Sequence, residues 1–280
     1  MKIRDNQECK LHSSNISMKK FNSDCSKCSG LCCTALFFSK IDGFPEDKVA
    51  GVPCCNLEKN FLCKIHQELE KKGMKGCIAY DCFGAGQFVT QQICHGDTWK
   101  DNENKTEIFH AFHKVFQLFQ IRYYLAEASS IIPAEPIKTE IESLIKENEK
   151  LCANNLEDID KIDVETHRDR VNNLLHKTCE YVNQYLHITV KNQSTDYMAR
   201  KCNGMNLSGY DMSMKLLIAA NFTDCKFYGT NFLGADTRDT NFSNADLREA
   251  LFLTQGQINA SKGNRKTLLP DHLTYPVTWK

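Results

Sequence analysis

Residues 205–254 read, in fives, MNLSG YDMSM KLLIA ANFTD CKFYG TNFLG ADTRD TNFSN ADLRE ALFLT. The third residue of each group is large and apolar: Leu207, Met212, Leu217, Phe222, Phe227, Phe232, Phe242, Leu247 and Phe252, with Thr237 as the exception. The first residue of the later groups is small: Ala220, Cys225, Thr230, Ala235, Thr240, Ala245 and Ala250. Between these two stand Asn206, Asp211, Asn221, Asn231, Asp236, Asn241 and Asp246, whose short polar side chains bond to nearby backbone at turns. Helical faces recur about every 3.6 residues and strand faces about every two, so a period of five belongs to neither. A fixed short period of this kind marks an internal repeat.

This pattern resembles the pentapeptide-repeat family. The resemblance implies a right-handed quadrilateral β-helix with four units per square coil, the third and first residues inside, and coils about 4.8 Å apart. The stack would be about two and a half coils, or about 12 Å, tall. Met205, Tyr210 and Lys215 break the small position, which predicts that the first three units form a distorted cap against preceding helices. The exit, Gln255 to Lys280 with Leu268, Leu269, Pro270 and Trp279, is expected to cover the other end. Some members of the family are taken to mimic duplex DNA and protect topoisomerases, but those resemble long acidic rods. Here Asp211, Asp224, Asp236, Asp239, Asp246 and Glu249 are matched by Arg200, Lys201, Lys215, Lys226, Arg238 and Arg248. A short neutral stack is a poor DNA mimic, so the expected use of its surface is a protein partner, with no nucleic acid.

Working outward, the whole chain has 35 basic and 35 acidic residues, and no net field draws it to nucleic acid or anionic lipid. From Met1 to Phe21 there is no apolar run of signal-peptide length, and no window approaches the roughly 18 apolar residues of a membrane span. The expectation is a cytoplasmic protein without a membrane partner, in which dense cysteines point to metal or redox chemistry rather than disulfides.

Residues 101–198 read as helical. Ile108, Phe109, Phe112, Val115, Phe116, Phe119, Tyr123 and Ala126 share a helix face between Glu103 and Ser130, closed by Pro133 and Pro136. Further helices are predicted from Lys138 to Cys152 and from Val164 to Leu186. The acidic run Glu157–Asp163 lacks the glycine and distal glutamate of a calcium loop and reads as a solvated connector and helix start. His110, His113, His167 and His176 read as surface or packing residues, as nothing on their helices completes a ligand set.

Of 15 cysteines, Cys9, Cys25, Cys28, Cys32, Cys33, Cys54, Cys55, Cys63, Cys77, Cys82 and Cys94 precede residue 95. The scattered Cys152, Cys179, Cys202 and Cys225 read as small core residues, Cys225 as an inward small position of the repeat. Cys25-Ser26-Lys27-Cys28-Ser29-Gly30-Leu31-Cys32-Cys33 opens the cluster. Two cysteines separated by two residues wrap a metal because the turn between them aims N–H groups at the thiolates, which are soft ligands suited to zinc and iron–sulfur clusters. Adjacent cysteines do not easily enter one small cage, so one of Cys32 and Cys33 is open to a second metal or to bridging two irons. Nearby, Gly84-Ala85-Gly86 is a turn at which backbone approaches an anion or cluster closely, and it lacks the third glycine of a dinucleotide fingerprint.

Over residues 25–85 the chain resembles the CxxCxxCC family of zinc- or iron-chelating proteins. By position, that resemblance carries the opening cluster to Cys25, Cys28, Cys32 and Cys33 and the later cysteines to Cys54, Cys63 and Cys77; Cys63-Lys64-Ile65-His66 stands where the family has cysteine, two residues and tyrosine. Three residues rather than two separate Cys28 from Cys32, the spacing of flagellin lysine-N-methylases, which are linked to an iron–sulfur cluster. Cys82 completes the expected ligand set, while Cys9, Cys55 and Cys94 are weaker candidates. Asp81, His66 and His95 are the titratable groups embedded among the thiols.

The sequence therefore predicts a multi-part α+β chain: a cysteine-rich metal-binding module at 22–100, a helical region at 101–198 and the β-helix with its cap at 199–280. The expected function is a metal-binding protein holding an iron–sulfur cluster or zinc. Redox or group-transfer catalysis competes with a non-enzymatic scaffold whose metal is structural, and no catalytic residue is identifiable. An open coordination position would separate the two.

Overall fold

The computed structural model describes residues 10–13, 18–189 and 196–279, which leaves Cys9 outside the described residues. The cysteine-rich segment is built from turns and three short helices, α1 (Leu31–Ala35), α2 (Lys75–Ala79) and α3 (Ala85–Phe88), the last continuing into a π turn at Val89–Ile93. Long helices follow: α4 (Lys105–Ala128), α5 (Lys138–Cys152), the single turn α6 (Leu156–Ile159) and α7 (Val164–Tyr185).

These helices arise where the periodicity predicts them. Pro133 and Pro136 lie in the 3-10 turn Ile132–Ile137 that separates α4 from α5. Asp163, the last acid of the connector, caps α7 by accepting from the Thr166 N–H at 3.1 Å. Helix α4 is buried on most of its circumference, with Ile108, Phe112, Val115, Leu118 and Leu125 all at or near zero exposure. It is therefore the central post, with α5, α6 and α7 on one side and α1 and α3 on the other. His167 is buried, and its Nε2 lies 3.3 Å from Nδ2 of the buried Asn148, which also donates to the Leu118 carbonyl at 3.1 Å.

The C-terminal part corrects the expected fold class. Among the described residues there is no strand, sheet or barrel, so neither the α+β class nor the β-helix stands. Instead, single residues pair in parallel across the stack: Lys201 with Asn221, Asn221 with Asn241, Asn241 with Lys262, and likewise Asn206–Lys226–Asp246–Leu268 and Asp211–Asn231–Leu251. The reason is the period itself. A turn every five residues leaves one residue per side extended enough to pair, so no pairing grows beyond an isolated bridge.

Each turn closes in the same way. The residue ending a unit adopts positive φ at Gly204, Gly209, Met214, Ala219, Asp224, Gly229, Gly234, Asp239 and Asn244. The Asn or Asp of the unit accepts the N–H two residues on, as Asn221 does from Thr223 at 3.1 Å and Asp246 from Arg248 at 3.2 Å. Inside, Phe222 stacks on Phe242 at 5.9 Å, with Phe227 and Phe232 edge-on beside them. The small inward residues donate to carbonyls of the coil before: Thr230 to Leu207 at 2.8 Å, Thr240 to Leu217 at 2.6 Å and the Cys225 thiol to Cys202 at 2.8 Å. Met205, Tyr210 and Lys215 belong to the first coil, which is regularly bridged and not a distorted cap. With no described coil before them, the small-residue requirement does not apply there. Tyr197 closes that end, and Trp279, buried and donating to the Ser261 carbonyl at 3.2 Å, closes the other.

Stack and helices meet along a polar seam within apolar packing. Tyr124 lies edge-on to Phe252, and the Phe252 N–H donates to Glu127 Oε1 at 2.7 Å. His12 lies between Glu127 on α4 (3.4 Å) and Glu249 on the stack (3.2 Å), and Glu249 also accepts the Leu11 N–H at 2.9 Å. On the opposite flank α2 rests on α8 (Gln255–Ala260): Asn259 donates to the Ile78 carbonyl at 3.2 Å, and a Cβ on Gly256 would stand 2.6 Å from the Ala79 carbonyl oxygen.

Candidate metal centre

The thiols gather around α1, whose start is fixed by Gly30 at a φ of 70° and by Ser29, buried, whose N–H donates to Thr90 Oγ1 at 3.0 Å. Trp99 Nε1 donates to the Ser29 carbonyl at 2.6 Å and so ties this turn to the core beside α4. Leu31, Thr34 and Ala35 fill the inner face of α1. Cys32 and Cys33 stand side by side on it with sulfurs 4.0 Å apart.

One set of thiols lies where residues 22–28 meet 81–90. Cys25 opens a 3-10 turn capped by Asp24, and the Asp24 N–H is held by Gln87. Cys28 packs directly on α3: a Cβ on Gly86 would stand 2.7 Å from its Sγ, so glycine is required there. Cys82 Sγ is 3.1 Å from Ser23 Oγ, and the Ala85 N–H bonds to the Cys82 carbonyl at 2.8 Å. A second set lies beyond α1. The Cys54 N–H donates to the Cys33 carbonyl at 2.9 Å, the Leu57 N–H to the Cys54 carbonyl at 2.9 Å, and Leu57 pairs antiparallel with Cys63. Cys77, on α2, is brought near by Gly76, which packs against Phe38 and Asp42.

Several sulfurs receive backbone N–H groups from just ahead in the chain. Asn56 donates to Cys54 Sγ at 3.4 Å, Ile65 to Cys63, and Leu31 and Gly30 to Cys28, joined there by the Thr90 hydroxyl. Such donors favour thiolate over thiol. Against them stand burial and mutual repulsion. Burial, then the neighbouring Cys28, Cys82 and Cys33, pushes the Cys25 thiol up to about 11; burial, then Cys33, Cys54 and Cys63, pushes Cys77 up to about 12. Cys33 is the exception, lowered first by a hydrogen bond from the Cys32 thiol and then by the charge of Lys48. Closely placed thiols of this kind resist ionising together.

Lys48 had no motif to signal it. It is 9% exposed, and its Nζ donates to the carbonyls of Thr34 (2.9 Å) and Val49 (3.1 Å) as well as Leu36. Its backbone pairs with Phe38, just after α1, which fixes the ammonium beside the second set of thiols.

The other candidates separate. Cys55 is exposed, as Cys25 is, and lies near Cys54 and Cys63; His66 and His95 are exposed, Cys94 lies in the core, and Asp81 accepts from Ser23 Oγ and the Phe83 N–H, each at 2.9 Å. The cysteines of both sets are free of disulfides. Among the described residues no three His, Cys, Asp or Glu groups converge to metal-bonding distance, so ligation requires the thiols to turn toward a shared centre. No helix among the described residues is long and apolar enough to cross a membrane.

A family model described as pentapeptide repeats matches eight copies over residues 217–252; that match covers the repeat and not the cysteine-rich segment. A relative printed as "Uncharacterized protein YybG", from Bacillus subtilis (strain 168), is 39% identical over 264 residues, spanning 92% of this chain and 95% of the relative. No solved structure matches.

Proposed function

The chain belongs to one family with Bacillus subtilis YybG and carries pentapeptide repeats at 217–252, and on that premise we propose that its cysteine-rich segment is a thiolate metal centre braced against the repeat stack. The residues that would hold the metal are Cys25, Cys28, Cys32, Cys33, Cys54, Cys63, Cys77 and Cys82. The observation carrying this reading is the gathering of these thiols around α1 from distant segments, without disulfides and with N–H groups directed at several sulfurs. Donors of this softness suit zinc or iron–sulfur clusters. When bound, zinc supplies a closed structural knot and an iron–sulfur cluster supplies one-electron exchange. The chain's own residues shape the site: Gly86 admits Cys28, Asn56 and Ile65 donate to sulfur, and α2 carries Cys77 on α8.

The neutral outer face of the stack, held by Asp236–Arg238 and Asp246–Arg248 pairs, supports recognition of a protein partner. Protein purified without oxygen is expected to carry iron or zinc in at least stoichiometric amount by elemental analysis. Less than about a tenth of a metal per chain is incompatible with a tight thiolate site.

A further inference from the structure

We infer that the eight thiols form two separate four-sulfur metal sites that part at the Cys32–Cys33 peptide bond: Cys25, Cys28, Cys32 and Cys82 on one side of α1, and Cys33, Cys54, Cys63 and Cys77, with Lys48 beside them, on the other. This rests on the metal-binding reading and goes beyond it in number, membership and charge.

The distance between the adjacent thiols does not by itself divide them. Two sulfurs on one tetrahedral zinc stand about 3.8 Å apart, given Zn–S bonds of about 2.3 Å, and Cys32 and Cys33 are 4.0 Å apart. What divides them is the company each keeps. Successive residues of a helix point about 100° apart, so Cys32 and Cys33 face different neighbours from one short helix. Cys33 is bonded through its carbonyl to Cys54, Cys54 through Leu57 to Cys63, and α2 presents Cys77 against the Phe38–Asp42 segment that follows α1. Cys28 is pressed on Gly86, and Cys82 is tied through Ser23 to the residues leading into Cys25.

Electrostatic neighbours sort in the same way. Cys28 and Cys82 act on both Cys25 and Cys32, although Cys32 answers first to the adjacent Cys33; Cys55, Cys33 and Cys63 act on Cys54, and Cys33, Cys54 and Cys63 act on Cys77. Cys33 also reaches Cys25, as a residue at the boundary must. Four thiolates close one zinc or one cubane cluster, so eight close two, with the exposed Cys55 left over beside Cys54 and Cys63.

The two sites differ in charge. A four-thiolate centre around a divalent ion carries a net charge of about −2. The second has a cation built in: Lys48, whose ammonium is locked by three carbonyls and cannot swing away. The first has instead the half-buried carboxyl of Asp81 close by, accepting from Ser23 Oγ and the Phe83 N–H.

The test uses full-length protein stripped of metal, kept reduced and loaded with Zn(II) alone, read by native mass spectrometry. Two zinc ions per chain are expected. Cys77→Ser and Cys82→Ser should each retain one, and Cys94→Ser, a buried thiol outside both sets, should retain two. Lys48→Met should weaken one of the two zinc ions by about tenfold or more in chelator competition, with Lys48→Arg largely restoring it. Thermal melting of the repeat in each variant certifies a folded chain. A single zinc in the parent protein, or loss of all zinc in both single-cysteine variants with the repeat folded, overturns the division into two sites while leaving a thiolate centre in place. No zinc at all in the parent overturns the metal-binding reading itself.

Discussion

His12 is a single residue on which the seam between helices and stack turns. Burial pulls its pKa down, but hydrogen bonds and charge from Glu127 and Glu249 outweigh burial and hold it up at about 9. Glu127 has no exposed surface, and the third group facing this seam, His272, is pulled down by burial and stays neutral near pH 7. Because the folded value lies above the ordinary 6.5, the stabilisation is complete below about 6.5 and is lost as pH rises through about 9. Urea melts of the parent protein should therefore lose on the order of 2 kcal/mol across that window relative to His12→Gln. Parallel pH profiles for the two proteins would exclude the ion pair as the cause. Nothing in the sequence around Leu11-His12-Ser13 advertises this contact, because its partners lie in the last turn of α4 and in the repeat, more than a hundred residues away.

At the scale of the element, the units of the repeat as far as Asn244 end on a residue with positive φ, a conformation that costs an L-residue with a Cβ roughly 1 kcal/mol. Gly, Asn and Asp occupy most of these positions, whereas Ala219 takes it with a φ of 56° while exposed. Ala219→Gly should raise stability by about 0.5–1 kcal/mol in thermal or denaturant melts; a loss of stability would show that Ala219 is not strained. Phe232→Asp should cost several kcal/mol and unfold the stack, since it buries an unpaired charge against Phe227 and Phe242. The inward register was legible because its period of five is imposed by sterics at every coil, and all nine apolar centres are fully buried. The paired secondary structure was not legible in that way. Stacked coils suggest strands, but the turn at each fifth residue confines pairing to single bridges.

For the whole molecule, the cysteine-rich part is not equally dependent on metal throughout. Leu31, Phe83, Ala85 and Val89 share the core around α4, whereas between residues 36 and 73 Phe44 and Lys48 are the only buried side chains. Chelation should therefore loosen that interval first, with trypsin cutting at Lys59, Lys64, Lys71 or Lys72 before any site in α4 or the stack. Early cleavage in α4 would contradict a core that stands without metal. The spacing singles out eight thiols as candidates, but which of them lie near one another is not readable from it. Cys82 lies near Cys28 across fifty-odd residues of chain, and Lys48 belongs to no pattern at all.

The twenty-residue interval between bridged residues also bears on how this chain can change length. It holds from Lys201 to Asn221 to Asn241, then slips to twenty-one at Lys262 and twenty-two between Asp246 and Leu268, where α8 is inserted. Inside the stack, one inserted residue would turn every later centre from the interior to the outside. At the last coil, which carries no further coil, the same insertion costs nothing downstream. Evolution can thus lengthen such a protein only in whole coils or at its last coil, and α8, the seat of α2, occupies the side of that coil where extra residues are accommodated.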